Sequence, residues 1–247
     1  MDDATRRQFL GAALIPASTL QGCSAPARTR DPVMRRKDFE PAYLAAERSG
    51  LLAERARELY AIFKSCRLCP RRCGVNRLAG EKGVCSSTSR AKVYSLHAHF
   101  GEERPLVGRR GSGTIFFSNC NLLCVFCQNW EINHRGDGKF VSDERLGRMM
   151  LDMQEQGCHN VNLVTPTHSL PNIVQGLRTA VKLGLRVPLV YNCGGYEPVE
   201  VIRLLDGIVD IYLPDCKYMD GAVAAKYSSG AEDYPQRATE AIAEMHR

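Results

Sequence analysis

The sequence predicts an α/β fold built on a parallel sheet, preceded by a cysteine-rich module. Three observations carry this. Short apolar runs alternate with helical patterns from residue 111 onward, the order that builds strand–helix–strand units with right-handed crossovers. The apolar content of 44% over 247 residues suits one domain with a sizeable core plus appendages. The chemistry-bearing motifs fall at the ends of the expected strands, where function gathers in such sheets.

The elements follow in order. In residues 1–23, Thr5-Arg6-Arg7-Gln8-Phe9-Leu10 matches the twin-arginine export pattern, and a short apolar run follows to Leu20. That run is too short to span a membrane. Leu20-Gln-Gly-Cys23 resembles a lipoprotein cleavage box, with Gln21 a poor fit, so Cys23 is a candidate lipid anchor. Export to the periplasm or membrane is the expectation; a disordered basic terminus on a cytoplasmic protein is the alternative. Residues 24–41, rich in Pro, Arg and Ser, read as a linker. Residues 42–110 read as a helix plus the cysteine-rich module, with an apolar helical stripe over Leu51–Phe63.

Residues 111–247 are the expected core. Strand Thr114–Ser118 runs into a cysteine loop. Then come helix Asp143–Gln156, with acids at its positive end, strand Asn160–Thr165, helix Asn172–Leu183 and strand Val187–Asn192. Helix Pro198–Leu205, strand Val209–Pro214 and helix Gln236–His246 complete it; Pro198 suits a first helical turn. The last strand is nearly all apolar, as a strand covered on both faces would be.

The net charge of +6 is uneven. Residues 1–110 hold 21 Lys and Arg against 11 Asp and Glu, and residues 111–247 hold 12 against 16. A basic first half suits an acidic partner or a membrane surface, or is simply solvated. No stacking-aromatic pattern accompanies the arginines, which excludes nucleic acid as the indicated partner.

Eleven cysteines stand mostly at metal-like spacings rather than those of a small disulfide scaffold. Cys120, Cys124 and Cys127 form C-x3-C-x2-C directly after an expected strand. Three thiolates can hold three irons of a cubane and leave the fourth open to a small molecule. Phe126 would add an apolar wall. Three buried thiols, or part of a zinc knot, is the alternative. Cys66, Cys69, Cys73 and Cys85 form a second set in a Gly- and Arg-rich loop, suited to structural zinc or a second cluster, with disulfides open to an exported protein. Cys158, Cys193 and Cys216 read as buried free thiols.

Four strings occur in order: Cys66-Arg-Leu-Cys69-Pro-Arg-Arg-Cys73-Gly-Val-Asn-Arg, Gly111-Ser-Gly-Thr-Ile-Phe-Phe, Asn162-Leu-Val-Thr-Pro-Thr-His168 and Ile211-Tyr-Leu-Pro-Asp215-Cys-Lys217-Tyr. With the cysteine triplet they resemble radical S-adenosylmethionine (SAM) enzymes, and within them the pyruvate formate-lyase-activating-enzyme-like branch. The resemblance implies a partial (β/α) barrel of the radical SAM type, truncated here after about four βα units where the family continues into two more strands. It implies a [4Fe–4S] cluster on Cys120, Cys124 and Cys127 whose open iron chelates SAM. Asp215 would help bind a cation near the SAM carboxylate and Lys217 would contact SAM; a surface ion pair is the alternative. Thr165 and His168 stand where relatives carry a SAM-amine motif, His168 reading equally as a satisfied loop histidine. Asn192 closes the third strand before two glycines that permit close backbone approach or a tight turn.

The implied function is reductive cleavage of SAM to a 5′-deoxyadenosyl radical and hydrogen abstraction, with a glycyl radical enzyme as substrate and a flavodoxin or ferredoxin as electron donor. A catalytically impaired iron–sulfur binding or electron-transfer protein, and a zinc-stabilised binding module, are the alternatives. Asn119 departs from the family, which has glycine before the first cluster cysteine, so strain is expected there. Cys193 and Cys216 depart from the Thr and apolar residue of relatives.

Overall fold

A six-stranded mixed sheet centres the computed structural model, which describes residues 39–247. The twin-arginine pattern, the box ending at Cys23 and nearly all of the expected linker lie outside the described residues.

Helices α1 (Ala42–Ser49) and α2 (Leu51–Ile62) come first, reversed at Gly50, whose φ of +83° a side chain would strain. After the cysteine-rich loop come β1 (Lys92–His99), α3 (Arg104–Val107), β2 (Ser112–Phe117), α4 (Trp130–Asn133), β3 (Lys139–Phe140), α5 (Asp143–Glu155) and β4 (Val161–Val164). Then follow α6 (Leu170–Lys182), β5 (Leu189–Cys193), α7 (Val199–Ile202), β6 (Ile211–Pro214), α8 (Gly221–Tyr227) and α9 (Tyr234–Met245).

The strand order is β3-β1-β2-β4-β5-β6. Strands β2, β4, β5 and β6 pair in parallel. They are the four strands the alternation predicts, within two residues at each end. The sheet is nevertheless mixed, because β1 and β3 extend it antiparallel on the β2 side. Of the eight residues of β1 only Val93 is buried, so no period-two apolar pattern marks it. Its pairing, from Val93 opposite Phe117 to His99 opposite Ser112, ties the segment before residue 111 to the core. At the other edge all four residues of β6 are only partly buried. Among the described residues β6 pairs with β5 alone, so one edge of this apolar strand is open.

Helix α5 begins where the Ser142 hydroxyl accepts the Arg145 N–H at 3.1 Å, and Asp143 and Glu144 meet its positive end. It buries Leu146, Met149, Met150 and Met153, one face at helical spacing. Helix α6 buries Leu170, Ile173, Val174, Leu177 and Ala180 likewise. A Cβ on Gly147 would come within 2.3 Å of the Gly176 carbonyl oxygen, so α5 and α6 cross at a point that only glycine admits. Fully buried Leu146, Leu163 and Leu177 each contribute about 1.5–3 kcal/mol of burial. The helix expected over 198–205 divides into α7 and a tighter 3₁₀ turn, Arg203–Leu205. No helix among the described residues is long and apolar enough to cross a membrane.

Candidate functional site

The carboxyl ends of the parallel strands open into one cavity of about 760 Å³. Cys120, Cys124, Cys127 and Phe126 line it together with Thr165, Asn192, Asp215 and Lys217.

The cysteine loop leaves β2 through Asn119, whose φ is +76°. This is the left-handed conformation that the glycine of relatives would serve, and asparagine is among the side chains that tolerate it best. The Asn119 side chain is held as well, donating to the Ser87 hydroxyl at 3.0 Å. Each of the three sulfurs then receives a hydrogen bond from a different kind of donor. Cys120 Sγ accepts the Leu122 N–H at 3.3 Å, Cys127 Sγ accepts the Asn133 side-chain amide at 3.2 Å, and Cys124 Sγ accepts the Ser228 hydroxyl at 3.0 Å. Burial pushes the Cys120 thiol up to about 11, and the amides of Leu123 and Leu122 pull against it. Ligation must therefore displace a proton, and the donors favour the charged sulfur that remains. Among the described residues no three His, Cys, Asp or Glu side chains converge closely enough to hold one metal ion. Ligands of a cubane each take a different iron, so this donor set fits a three-thiolate cluster.

In the same cavity, just past the end of β6, Lys217 forms an ion pair with Asp215. Burial pulls the Lys217 ammonium down most strongly, but the Asp215 bond and charge, with Cys124 and Cys120, together raise it, so it stays charged. Asn192 Nδ2 donates to Glu102 Oε1 at 3.4 Å. Glu102, with His99 and Glu103, also lines the cavity. Burial raises the Glu102 carboxyl, with Glu103 and Asp215 adding to the effect and His99 opposing it. No sequence pattern marks these three; the pairing of β1 with β2 brings them in. Glu197 was missed too. It lies buried behind the cavity wall, accepting from Thr167 Oγ1 at 2.6 Å and Tyr191 OH at 3.1 Å.

His168 does not line this cavity. It is buried, and its Nε2 donates to the Ser118 carbonyl at 2.7 Å, bracing the end of β2. Burial first, then the nearby Arg77 charge, lowers its pKa to about 4, so the ring is neutral. Its position on a 3₁₀ turn, Thr167–Ser169, rather than on the strand end explains the departure. Cys158 and Cys193 are buried as expected, while Cys216 is exposed because it follows the end of an edge strand.

In the N-terminal module Cys66, Cys69 and Cys85 are buried and Cys73 half-buried, all as free thiols. Burial raises the Cys69 thiol, and the neighbouring Cys85 and Cys66 add to it. The fully buried Arg77 packs its guanidinium 4.4 Å from the Phe63 ring centre, with Nη1 4.0 Å from Cys66 Sγ. Among the described residues it has no carboxylate partner.

The sequence pattern of the Radical SAM superfamily matches residues 114–246. An uncharacterized protein of Methanocaldococcus jannaschii is 39% identical over 166 residues, covering 64% of this chain and 46% of that protein. The chain thus spans about half the length of the curated relative it matches.

Proposed function

The chain belongs to the radical SAM superfamily, and from that premise we propose that it is an enzyme that cleaves SAM reductively and abstracts hydrogen from a glycine of a partner enzyme. The family implies a [4Fe–4S] cluster and SAM. When bound, the cluster supplies one electron to SAM and a chelation point at its open iron.

One observation carries the reading: the cysteine triplet and the Asp215–Lys217 pair share a single cavity. Cys120, Cys124 and Cys127 would hold the cluster on one wall. Lys217, paired with Asp215, would meet the SAM carboxylate from the end of β6 in the same cavity. Asn192 and the Thr165 backbone turn would border the nucleoside, and Phe126 would exclude water. No side-chain acid or base is required. An acidic flavodoxin or ferredoxin is the proposed electron donor. The basic residues 66–85 would serve as a second metal site, a cluster or zinc.

The test is anaerobic reconstitution with iron and sulfide, followed by SAM and a strong reductant. Formation of 5′-deoxyadenosine is expected. A loaded chain that yields none, and whose cluster spectrum ignores SAM, leaves a non-catalytic iron–sulfur protein instead. The glycyl radical role is tested by a doublet in the electron paramagnetic resonance spectrum of a candidate partner enzyme.

A further inference from the structure

Arg71 stands between Cys69 and Cys73 of the N-terminal module, yet its guanidinium reaches the site loop. Nε donates to the Asn121 carbonyl at 3.1 Å, Nη2 to the Ser228 carbonyl at 2.9 Å and Nη1 to the Ser229 carbonyl at 2.7 Å. These acceptors lie 50, 157 and 158 residues away in the chain. Asn121 adjoins Cys120. The Ser228 hydroxyl lies 3.0 Å from Cys124 Sγ and 2.7 Å from the Tyr218 hydroxyl.

The direction of this chain of hydrogen bonds follows from the sulfur. A thiolate only accepts, so once Cys124 is a ligand Ser228 must donate to it. The single Ser228 proton is then committed, and Tyr218 must donate to Ser228. Ser228 is fully buried, so no solvent substitutes for its hydroxyl. Its backbone needs support, because Ser229 beside it takes a φ of +54°, a conformation a serine holds only when its surroundings impose it. Two carbonyls fixed by one guanidinium fork impose it. A second tie runs from the Val125 N–H to the Tyr227 carbonyl at 2.9 Å, so the turn after α8 and the cysteine loop move as one.

We propose that Arg71 is a positioning residue that sets the reduction potential of the cluster by holding the Ser228 hydroxyl on the Cys124 sulfur. The inference rests on the cluster assignment made above, not on SAM turnover. A hydrogen bond donated to a ligand sulfur stabilises the more negative, reduced cluster, and so raises its potential. The N-terminal module thereby gains a task beyond its own thiols: it carries the side chain that tunes the site. Lysine cannot replace the fork, since three carbonyls in different directions need the planar guanidinium.

The experiment is an anaerobic potentiometric titration of the reconstituted chain, followed by electron paramagnetic resonance. It compares the wild type with Arg71→Ala, Arg71→Lys, Ser228→Ala and the Arg71→Ala/Ser228→Ala pair. Ser228→Ala and Arg71→Ala should both move the midpoint to more negative potential, lowering the reduced-to-oxidised ratio several-fold at a fixed applied potential. Arg71→Lys should not restore it, and the double variant should match Ser228→Ala alone. If Arg71→Ala binds less iron, the midpoint is read on the loaded fraction, and Arg71→Lys supplies the independent reading. A shift in Ser228→Ala with none in either Arg71 variant overturns the proposal, as do two single shifts that add in the double variant. A wild-type chain that takes up no cluster overturns this inference and the proposed function together. A loaded chain that does not cleave SAM overturns only the latter.

Discussion

The Tyr234 phenol on α9 accepts the Lys217 backbone N–H at 2.9 Å and donates to the Gly194 carbonyl, also at 2.9 Å. One buried hydroxyl thus joins the end of β6 to the end of β5. The approach is tight: a Cβ on Gly195, whose φ is +76°, would stand 2.2 Å from the Asp215 carbonyl oxygen. The glycine that the sequence marks as a possible close approach serves to bring Asp215 and Lys217 against the end of β5.

Lys217→Met should weaken SAM binding about tenfold or more, because a hydrogen bond to a charged group is worth about 1.5–3 kcal/mol. Calorimetric titration of SAM into the reconstituted chain measures it. Unchanged affinity would remove Lys217 from the site. Tyr234→Phe should weaken binding by a smaller factor, since it loosens Lys217 without removing the charge.

Cys124→Ser should abolish the site's iron, from about four atoms per chain to few, since serine oxygen is a poor ligand for iron–sulfur clusters. Iron and sulfide analysis after anaerobic reconstitution reads this directly. Full iron content in the variant excludes the assignment.

Replacing Cys66 and Cys69 together by serine should lower the metal content or stability of the N-terminal module and leave the visible spectrum of the 120–127 cluster in place. Metal analysis with a urea titration distinguishes the effects. Loss of both metal signals at once would mean that the two thiol sets load as one unit.

Glu197 sets a pH dependence with a definite sign. Burial pushes its carboxyl from the ordinary 4.5 up to about 8, against the pull of bonds from Thr167, Tyr191 and Cys193. Between those values the folded chain keeps a proton that the unfolded chain releases. Stability from this group is therefore full below about 4.5 and lost as pH rises towards 8. Glu197→Gln cannot ionise, so its denaturation midpoint should fall less between pH 5 and pH 8 than the wild type's. Parallel curves for the two proteins would show that Glu197 does not titrate in this window.

The four parallel strands and their helices could be read from the chain because burial on a regular element leaves a local period. Leu146, Met149, Met150 and Met153 mark the α5 face, and the apolar run at Leu163 marks a strand covered on both sides. The cysteine triplet could be read because ligand spacing within eight residues is also local. Strand β1 left no such mark, with one buried residue in eight. For His168 the sequence left two readings open, because a histidine next to a strand end looks the same whether it faces a cavity or braces a carbonyl; here it braces the Ser118 carbonyl. The donors to the three sulfurs, the Glu102 and Glu197 carboxyls near the cavity, the reach of Arg71 and the Tyr234 clamp came only from the tertiary structure. Sequence by itself determined the four parallel strands, the buried faces of α5 and α6, and which thiols lie close together along the chain. Which hydroxyl, amide or guanidinium meets them depends on how strands far apart in the chain pair and how their loops then meet, and such contacts impose no period on the residues that make them.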